Sequence, residues 1–270
     1  KIIEASKWIK TGKTYELGHI YEEGMFVPDN RVFKLFIPSF PTYGPEGADR
    51  IVFNDELLVA SIGQIGTQFD GLGHPGQQVD MEDGTTTEVF YNGFTTEEMK
   101  SPFGLRNLGV EHLKPIITSG VLIDIAGLKD VEVLEDAHEV SLQEVKDALA
   151  SQGIEESEIR PGDAIFFNFG WWHNWKKDYV MDGSRYPRIA REVVDWLVER
   201  QPSMVGSDAI LDGDKFNVHL ELTMKSGVFN LEWMNFDTLT ADEVYRFMFI
   251  FTPLRIKGAT GSPGRPIAIH

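Results

Sequence analysis

The sequence contains no cysteine, which excludes disulfides and thiolate metal sites. Any bound metal must therefore have oxygen and nitrogen ligands. Basic residues are also scarce, since 42 acidic residues face 25 basic ones and the formal charge is −17. Phosphate binding needs clustered Lys and Arg, so we expect no nucleic acid partner.

Long apolar runs are missing as well. No stretch of about 18 apolar residues is present, so we expect no membrane partner. The first ten residues, KIIEASKWIK, lack the apolar region of a signal peptide, and we expect a cytoplasmic protein. The sequence also lacks G-x-G-x-x-G, the P-loop pattern and G-x-S-x-G, which argues against nucleotide binding and against a serine hydrolase of the α/β-hydrolase type.

The chain has enough length and aromatic content to bury a large core. It has 270 residues with 18 Phe and 6 Trp, and no repeat or Ser/Gly-rich linker divides it. We therefore expect one domain that covers residues 1–270.

Strand signals outnumber helix signals. Runs rich in β-branched and aromatic residues predict strands over 32–37, 51–62, 120–125, 164–169 and 245–251. The Ser141–Glu144 capping box predicts a helix over 142–150, apolar spacing predicts another over 189–199, and Thr240 with Glu243 predicts a short third helix. Without strict βαβ alternation, this favours an α+β or β-rich α/β fold over a Rossmann sheet.

A dense polar cluster follows the second predicted strand. Gln64, Gln68, Asp70 and His74 have even separations, so they would share one face of an extended chain after a buried strand. These groups must face water, satisfy one another or bind a cation, and Asp and His are good ligands for Zn or Mn. A hydrogen-bonded turn is the alternative interpretation.

The spacing of this cluster resembles a known family. The cyclase superfamily, which includes bacterial kynurenine formamidases and isatin hydrolases, carries His-x-Gly-Thr-His-x-Asp-x-x-x-His. This chain has the same frame with Gln64 and Gln68 in place of the first two histidines. The variant is similar to a branch of the family that includes trans-dienelactone hydrolase.

Further segments carry the resemblance toward the C-terminus. They are Gly-Val-Leu-Ile-Asp ending at Asp124, the Pro-Gly-Asp strand that begins at Pro161, Val-Gly-Ser-Asp ending at Asp208, the region of His219 and Glu232, and the Pro-Leu-Arg segment that begins at Pro253. The resemblance implies a swivelling β/β/α domain that forms a homodimer or homotetramer.

The resemblance also implies the ligand set. Two-metal members of the family have two cation sites that share the aspartate. In this chain the residues of the first site would be Gln64, Gln68 and Asp70, and amide oxygens bind Zn or Mn more weakly than imidazoles do. The other becomes Asp70, His74, His219 and Glu232, so we expect one tightly held Zn or Mn ion there. Gln64 and Gln68 would then be weak ligands or would hydrogen-bond the substrate.

Roles within this site stay open at the sequence level. The general base is His74, Glu232 or Asp70. Trp172 and His173, in an aromatic cluster after a predicted strand, are candidates for substrate contact, whereas Trp171 fits core packing better. Each site residue also has a structural alternative, as a turn, core or hydrogen-bonding residue.

Three functions fit these patterns. The first is a hydrolase that opens a small cyclic ester, cyclic amide or formamide by metal-activated water, with a lactone such as a dienelactone favoured by the glutamine variant. The second is a metal-dependent cyclase or dehydratase that stabilises an enolate. The third is a non-catalytic binding protein. The expected partner is a small-molecule substrate.

Overall fold

The computed structural model describes residues 1–25, 27–28, 30–177, 183–213 and 216–270. Its strands are β1 (Thr14–Glu16), β2 (Phe33–Phe36), β3 (Tyr43–Glu46), β4 (Ile51–Phe53), β5 (Leu57–Ala60), β6 (Gln68–Asp70), β7 (Gly76–Asp80), β8 (Thr86–Phe90), β9 (Ile116–Asp124), β10 (Glu139–Val140), β11 (Ala164–Asn168), β12 (Arg188–Ile189), β13 (Met204–Ser207), β14 (Phe229–Glu232), β15 (Arg246–Phe251), β16 (Gly261–Pro263) and β17 (Ile267–Ile269).

The helices are few and mostly short. The α-helices are α1 (Ile2–Ser6), α2 (Thr96–Met99), α3 (Ile125–Leu128), α4 (Leu142–Ser151), α5 (Arg191–Arg200) and α6 (Asp237–Ala241), and a π-helical turn spans His219–Met224. Short 3₁₀ turns span Tyr91–Gly93, Val110–His112, Glu156–Glu158 and Trp171–Asn174. Within the described ranges, no helix has the length and apolar character needed to span a membrane.

One large mixed sheet organises these elements. It has nine strands in the order β1-β17-β15-β9-β11-β13-β14-β6-β16. The neighbours among β9, β11, β13 and β14 pair in parallel, whereas the remaining strands pair antiparallel. The predicted strands over 120–125, 164–169 and 245–251 correspond to β9, β11 and β15. The prediction of a β-rich α/β fold is confirmed.

Alternation along the central strands gives the sheet two apolar faces. Val121 and Ile165 belong to a core cluster that includes the buried sides of α4 and α5. Leu122 and Phe166 belong to a second cluster that includes Phe247 of β15. Since successive side chains of a strand point to opposite faces, each central strand contributes to both clusters.

Two of the three predicted helices are present. α4 begins at the predicted capping box, in which the Ser141 side chain accepts from the backbone N–H of Glu144 and the Glu144 carboxylate accepts from that of Ser141. α5 begins at Arg191, two residues later than predicted. The third prediction is wrong, because α6 ends at Ala241 and Glu243 adopts a left-handed φ of 54° just after it.

The Glu144 carboxylate of this capping box makes the free energy of unfolding depend on pH. Burial alone would raise its pKa, but a hydrogen bond from Lys129 and the bonds from Ser141 hold the pKa at about 2. The carboxylate therefore stabilises the fold above its unfolded pKa near 4.5, and this contribution is lost as the pH falls toward 2. We expect Glu144→Gln to lower the free energy of unfolding by about 1–2 kcal/mol at pH 7.

Urea unfolding at a series of pH values measures this difference. The gap between Glu144→Gln and the unsubstituted protein should narrow as the pH falls below about 4.5. A control is Glu97→Gln, whose carboxylate pairs with Lys100 at an exposed site and should matter little. A gap that stays constant down to pH 3 would contradict the assigned role.

The predicted strand over 51–62 is not a buried strand. It divides into β4 and β5, and every residue from Val32 to Val59 except Phe33 and Thr42 is exposed. β2 pairs with β5 and β3 pairs with β4, which makes a two-stranded antiparallel ribbon over residues 32–60, here called the apolar ribbon. The prediction failed because apolar composition alone does not show what covers a strand.

Candidate metal centre

Two neighbouring strands place four polar side chains together. β6 runs antiparallel to β14, with Asp70 opposite Asn230 and Gln68 opposite Glu232. All four residues are buried. Because alternate residues share a face of a strand, the two cross-strand pairs face the same side of the sheet. The backbone register therefore sets the spacing of these groups.

Turns at both ends of β6 bring in the other members of the predicted cluster. Gln64 lies in the loop that precedes β6, and Gly66 in that loop has a φ of +60° that favours glycine. His74 follows a turn in which its N–H donates to the carbonyl of Gly71. Only Gln68 and Asp70 share a strand, so the expectation of one extended face was wrong.

His219 comes from the π-helical turn before β14. Its Nδ1–H donates to Asp212 Oδ2 at 2.8 Å, and the backbone N–H groups of Val218 and His219 donate to Asp212 Oδ1. This leaves Nε2 directed at the carboxylates, 3.2 Å from Asp70 Oδ2 and 3.0 Å from Glu232 Oε1. A carboxylate on the far side of a ligating imidazole is a common way to fix its ring orientation.

The ligand atoms of Asp70, His74 and His219 all lie within 4.8 Å of one another. Glu232 lies outside this group although it contacts His219. Its Oε2 accepts a 3.0 Å hydrogen bond from Gln68 and its Oε1 a 2.9 Å bond from Asn230. The structure thus brings all four predicted ligands into one cluster, but three of them form the tight group.

The cluster holds more buried negative charge than its surroundings balance. Asp70 is 0% exposed and Glu232 2% exposed, and Asp212 lies on the other side of His219. Burial lowers the pKa of His219, but the charge of Glu232 and the hydrogen bond to Asp212 outweigh it and raise the pKa well above its usual value. Burial raises the pKa of Glu232, whereas hydrogen bonds and the neighbouring histidines hold that of Asp70 down against its own burial.

These residues fit a divalent cation. Two imidazoles and a carboxylate form a nitrogen and oxygen set that suits Zn or Mn. Gln64 donates from Nε2 to Asp70 Oδ1 at 2.9 Å, and its buried Oε1 has no hydrogen-bond partner among the described residues. An unpartnered amide oxygen beside excess carboxylate charge is an arrangement that a cation satisfies.

A cavity of about 150 Å³ lies against the cluster. Its lining includes all the predicted site residues except Asp70, Trp172 and His173, and it adds the described residues Pro28, Arg31, Ile65, Gly66, Trp175, Ile210, Asp212 and Trp233. A volume near 150 Å³ admits about one small ring, as in cavities known to bind benzene.

Trp172 and His173 are placed differently from the expectation. Neither lines the cavity within the described part of the chain. Their rings stack on each other at 3.6 Å, His173 pairs with Glu132, and the backbone N–H of Trp172 donates to buried Asp208. They follow Gly170 in a 3₁₀ turn, and Trp175 at the end of that turn reaches the cavity instead. Trp171 is in the core, as predicted.

Comparison with known families identifies the chain. The model of the family described as "Putative cyclase" matches residues 15–211, which is well over half of the sequence. The chain belongs to this cyclase family. No curated protein sequence matches it significantly.

Solved structures show the same fold as this cyclase-family chain. A crystal structure described as a novel cyclase is 25% identical, with a TM-score of 0.82 over 100% of this chain and 90% of the other. Isatin hydrolase A from Ralstonia solanacearum is 17% identical, with a TM-score of 0.65 over 96% and 92%. A "predicted metal-dependent hydrolase" from Bacillus stearothermophilus is 17% identical, with a TM-score of 0.57 over 95% and 97%. The expected cyclase-family fold is confirmed.

Sequence reasoning missed four residues of this cyclase-family site. Asp212 orients His219, Asn230 bridges the carboxylates, and Arg31 and Trp175 line the cavity. Asn230 had a signal, because it lies two residues before Glu232 and shares its face. Trp175 also had a signal, because it belongs to the aromatic cluster in which only Trp172 and His173 were preferred for substrate contact, whereas no motif marks Arg31 or Asp212.

Asp212 gives the site a testable positioning residue. We expect Asp212→Ala to weaken metal binding by about 10- to 100-fold, because the His219 ring loses the carboxylate that fixes it. Asp212→Asn keeps an acceptor oxygen and should lose less. Calorimetric titration with Zn²⁺ or Mn²⁺ measures both, beside Asp195→Ala, which removes only an exposed pair with Arg191. Equal metal affinity in all four proteins would exclude this role.

Proposed function

We propose that this protein is a metal-dependent hydrolase that opens a small lactone at the Asp70, His74 and His219 group. The observation that carries the proposal is a buried carboxylate, Glu232, held beside that group by Gln68 and Asn230 rather than inside it. Such a site has both a place for a cation and a separate group to carry a proton. Zinc and manganese both suit the three ligands.

Glu232 is the proposed general base. When bound, the divalent cation polarises the ester carbonyl and acidifies water. Asp70 and His74 belong to the ligand group, whereas Glu232 Oε1 lies beside it at 3.0 Å from His219 Nε2. Burial raises the pKa of Glu232, which suits a carboxylate that accepts the proton of the attacking water and returns it to the leaving oxygen.

Arg31, Gln64 and the size of the cavity support the choice of substrate. Arg31 donates to the backbone carbonyl of Gln64 at 2.5 Å, and no carboxylate is within ion-pair distance of it among the described residues. A guanidinium and an amide beside a cavity that admits one small ring favour a cyclic ester that also bears a carboxylate. The glutamine variant of the motif, with its resemblance to the trans-dienelactone hydrolase branch, points to the same class.

Glu232→Gln tests the proposal. We expect hydrolysis to fall by about 100- to 10,000-fold with metal content unchanged, because the amide cannot accept the proton but keeps the shape. Elemental analysis and a rate assay on carboxylate-bearing lactones, neutral lactones, cyclic amides and formamides measure both quantities. Glu243→Gln, outside the cavity lining, is the control and should behave as the unsubstituted protein.

The outcomes separate the alternatives. Product that gains the mass of water supports hydrolysis, whereas product that loses it supports the dehydratase alternative. Protein that binds no divalent metal would support a non-catalytic binding protein. Loss of metal in Glu232→Gln would mean that this carboxylate is a ligand, and the base would then have to be another group.

A further inference from the structure

Thr67 is a buried residue of the motif segment that the proposed function does not use. It is 1% exposed and lies directly before Gln68, the first residue of β6. Its Oγ1 donates a 2.5 Å hydrogen bond to the backbone carbonyl of Trp233 and accepts a 2.8 Å bond from the backbone N–H of His19. A hydroxyl can donate and accept at the same time, and this one does both. The Thr67 side chain therefore joins the start of β6 to two other segments of the chain.

The backbone at Trp233 has a conformation that needs support. The ladder between β6 and β14 ends at the pair of Gln68 and Glu232. Thr67 and Trp233 come next, but Trp233 does not continue its strand, because its φ of 55° lies in the left-handed region, which is strained for a large side chain. Such a conformation persists where the surroundings fix it. The Thr67 hydroxyl fixes the Trp233 carbonyl, and the next backbone N–H donates to the last carbonyl of β13.

This turn after β14 adjoins both the proposed base and the wall of the cavity. Glu232 is the residue directly before Trp233, and the side chain that donates to Glu232 belongs to Gln68, the neighbour of Thr67. The Trp233 ring lines the cavity, in tilted contact with Trp175 at 6.1 Å between ring centroids. A shift of the backbone at Trp233 would therefore displace the Glu232 carboxylate.

The N-terminal segment holds Thr67 from another side. The Tyr21 hydroxyl donates to the backbone carbonyl of Thr67, and the Tyr21 ring lies so close to Gly66 that a Cβ there would meet it at 2.5 Å. Gly18 forms an isolated antiparallel bridge with Met234. Residues 18–21 thus contact both the start of β6 and the turn after β14, on either side of the Thr67 hydroxyl.

We propose that Thr67 is a positioning residue, whose hydroxyl holds the strained turn after β14 and thereby fixes the Glu232 carboxylate for proton transfer. This inference rests on the proposed function, because it concerns the base that accepts the proton of the attacking water. Thr67 belongs neither to the cavity lining nor to the ligand group among the described residues, so it acts through Trp233 and Gln68. Misplacing a reacting group by about 1 Å can slow a reaction by about 100-fold, which makes such a tie important for the rate.

Thr67→Val tests this role, because valine keeps the shape of threonine but neither donates nor accepts. We expect kcat to fall by about 10- to 100-fold while KM rises no more than about 3-fold and metal content stays unchanged. Binding depends on several walls of the cavity, whereas proton transfer depends on one carboxylate. Thr67→Ser keeps the hydroxyl and should retain kcat within about 3-fold.

The matched control is Thr118→Val. Thr118 is also buried, and its Oγ1 donates to the backbone carbonyl of Gly162 at 2.7 Å, away from the cavity lining. Urea unfolding should show that both valine variants lose stability, because each leaves a buried carbonyl without its donor. Turnover should fall only in Thr67→Val. Equal turnover in the two variants, or an equal loss in Thr67→Ser and Thr67→Val, would overturn the positioning role, and so would loss of metal from Thr67→Val.

Hydrogen exchange gives a readout that does not depend on catalysis. In the unsubstituted protein, the His19 amide should exchange at least about 100-fold more slowly than an unprotected amide, because its acceptor is buried. Thr67→Val should remove that protection, whereas Thr118→Val should not. A His19 amide that exchanges freely in the unsubstituted protein would overturn the proposal even if Thr67→Val does not fold.

Failure of this inference differs from failure of the proposed function. An unsubstituted protein that hydrolyses none of the lactones, amides and formamides would contradict the proposed function and, with it, the catalytic consequence of the tie. Exchange at His19 would still decide whether the Thr67 hydroxyl holds the turn. An active protein in which Thr67→Val behaves as Thr118→Val would contradict this inference alone.

Discussion

Asp70→Ala should leave purified protein with less than about a tenth of its metal and lower hydrolysis by at least about 1,000-fold. Asp70 is the carboxylate of the ligand group, and it also accepts from Gln64, His219 and Asn230. Among the described residues, Asp70 is the carboxylate that groups with both His74 and His219, with all ligand atoms within 4.8 Å of one another. Elemental analysis and the lactone assay measure the two losses.

The fold should survive this change, because removing one carboxylate relieves part of the buried negative charge. Circular dichroism and urea unfolding provide that control, with Asp80→Ala at the exposed end of β7 as the matched variant. Asp70→Asn keeps the shape and should also lose metal. Full metal occupancy in Asp70→Ala would show that the centre lies elsewhere.

Gln64→His combined with Gln68→His should create a second metal position and lower turnover. Two imidazoles replace two amides next to Asp70, and imidazole is a better ligand for Zn or Mn. Gln68 also donates to Glu232, and Gln64 donates to Asp70, so the substitution removes the hydrogen bonds that hold both carboxylates. We expect turnover to fall by about 5- to 150-fold, which corresponds to about 1–3 kcal/mol.

Calorimetric metal titration beside the rate assay measures both effects in the double variant. Gln143→His on the exposed side of α4 is the control for adding an imidazole to the surface. Two equivalents of metal with normal turnover would mean that the glutamines only fill space. An unchanged single equivalent would mean that they do not face the metal.

The central strands of the sheet were predictable because apolar residues occupy both faces of each strand. β9, β11 and β15 have apolar residues on both faces, and the structure has them inside the sheet with both faces covered. The same composition misled at β4 and β5, whose residues are exposed except for the partly exposed Ala60. An apolar sequence pattern indicates that burial of a strand would be favourable, but it does not identify the element that buries it.

The site was predictable where a motif fixes spacing, and not elsewhere. Asp70 and His74 lie in one short segment, and resemblance linked them to His219 and Glu232. Asp212 precedes His219 by seven residues but lies outside the π-helical turn that begins at His219, so a same-helix spacing does not account for their contact and only the fold reveals it. Trp175 lines the cavity in place of the predicted Trp172 because of how the chain turns after Gly170, which the sequence does not specify.

The ladder between β6 and β14 has a consequence for how such a site changes over time. Because Asp70 faces Asn230 and Gln68 faces Glu232, inserting or deleting one codon inside β6 would turn Phe69 toward the cavity and bury the carboxylate in the core. Amino-acid substitutions leave that alternation of faces intact and change only the chemistry of the side chains that face the cavity. New specificities in this protein are therefore reachable by exchanging side chains at fixed chain length, in natural descent and in directed-evolution libraries alike.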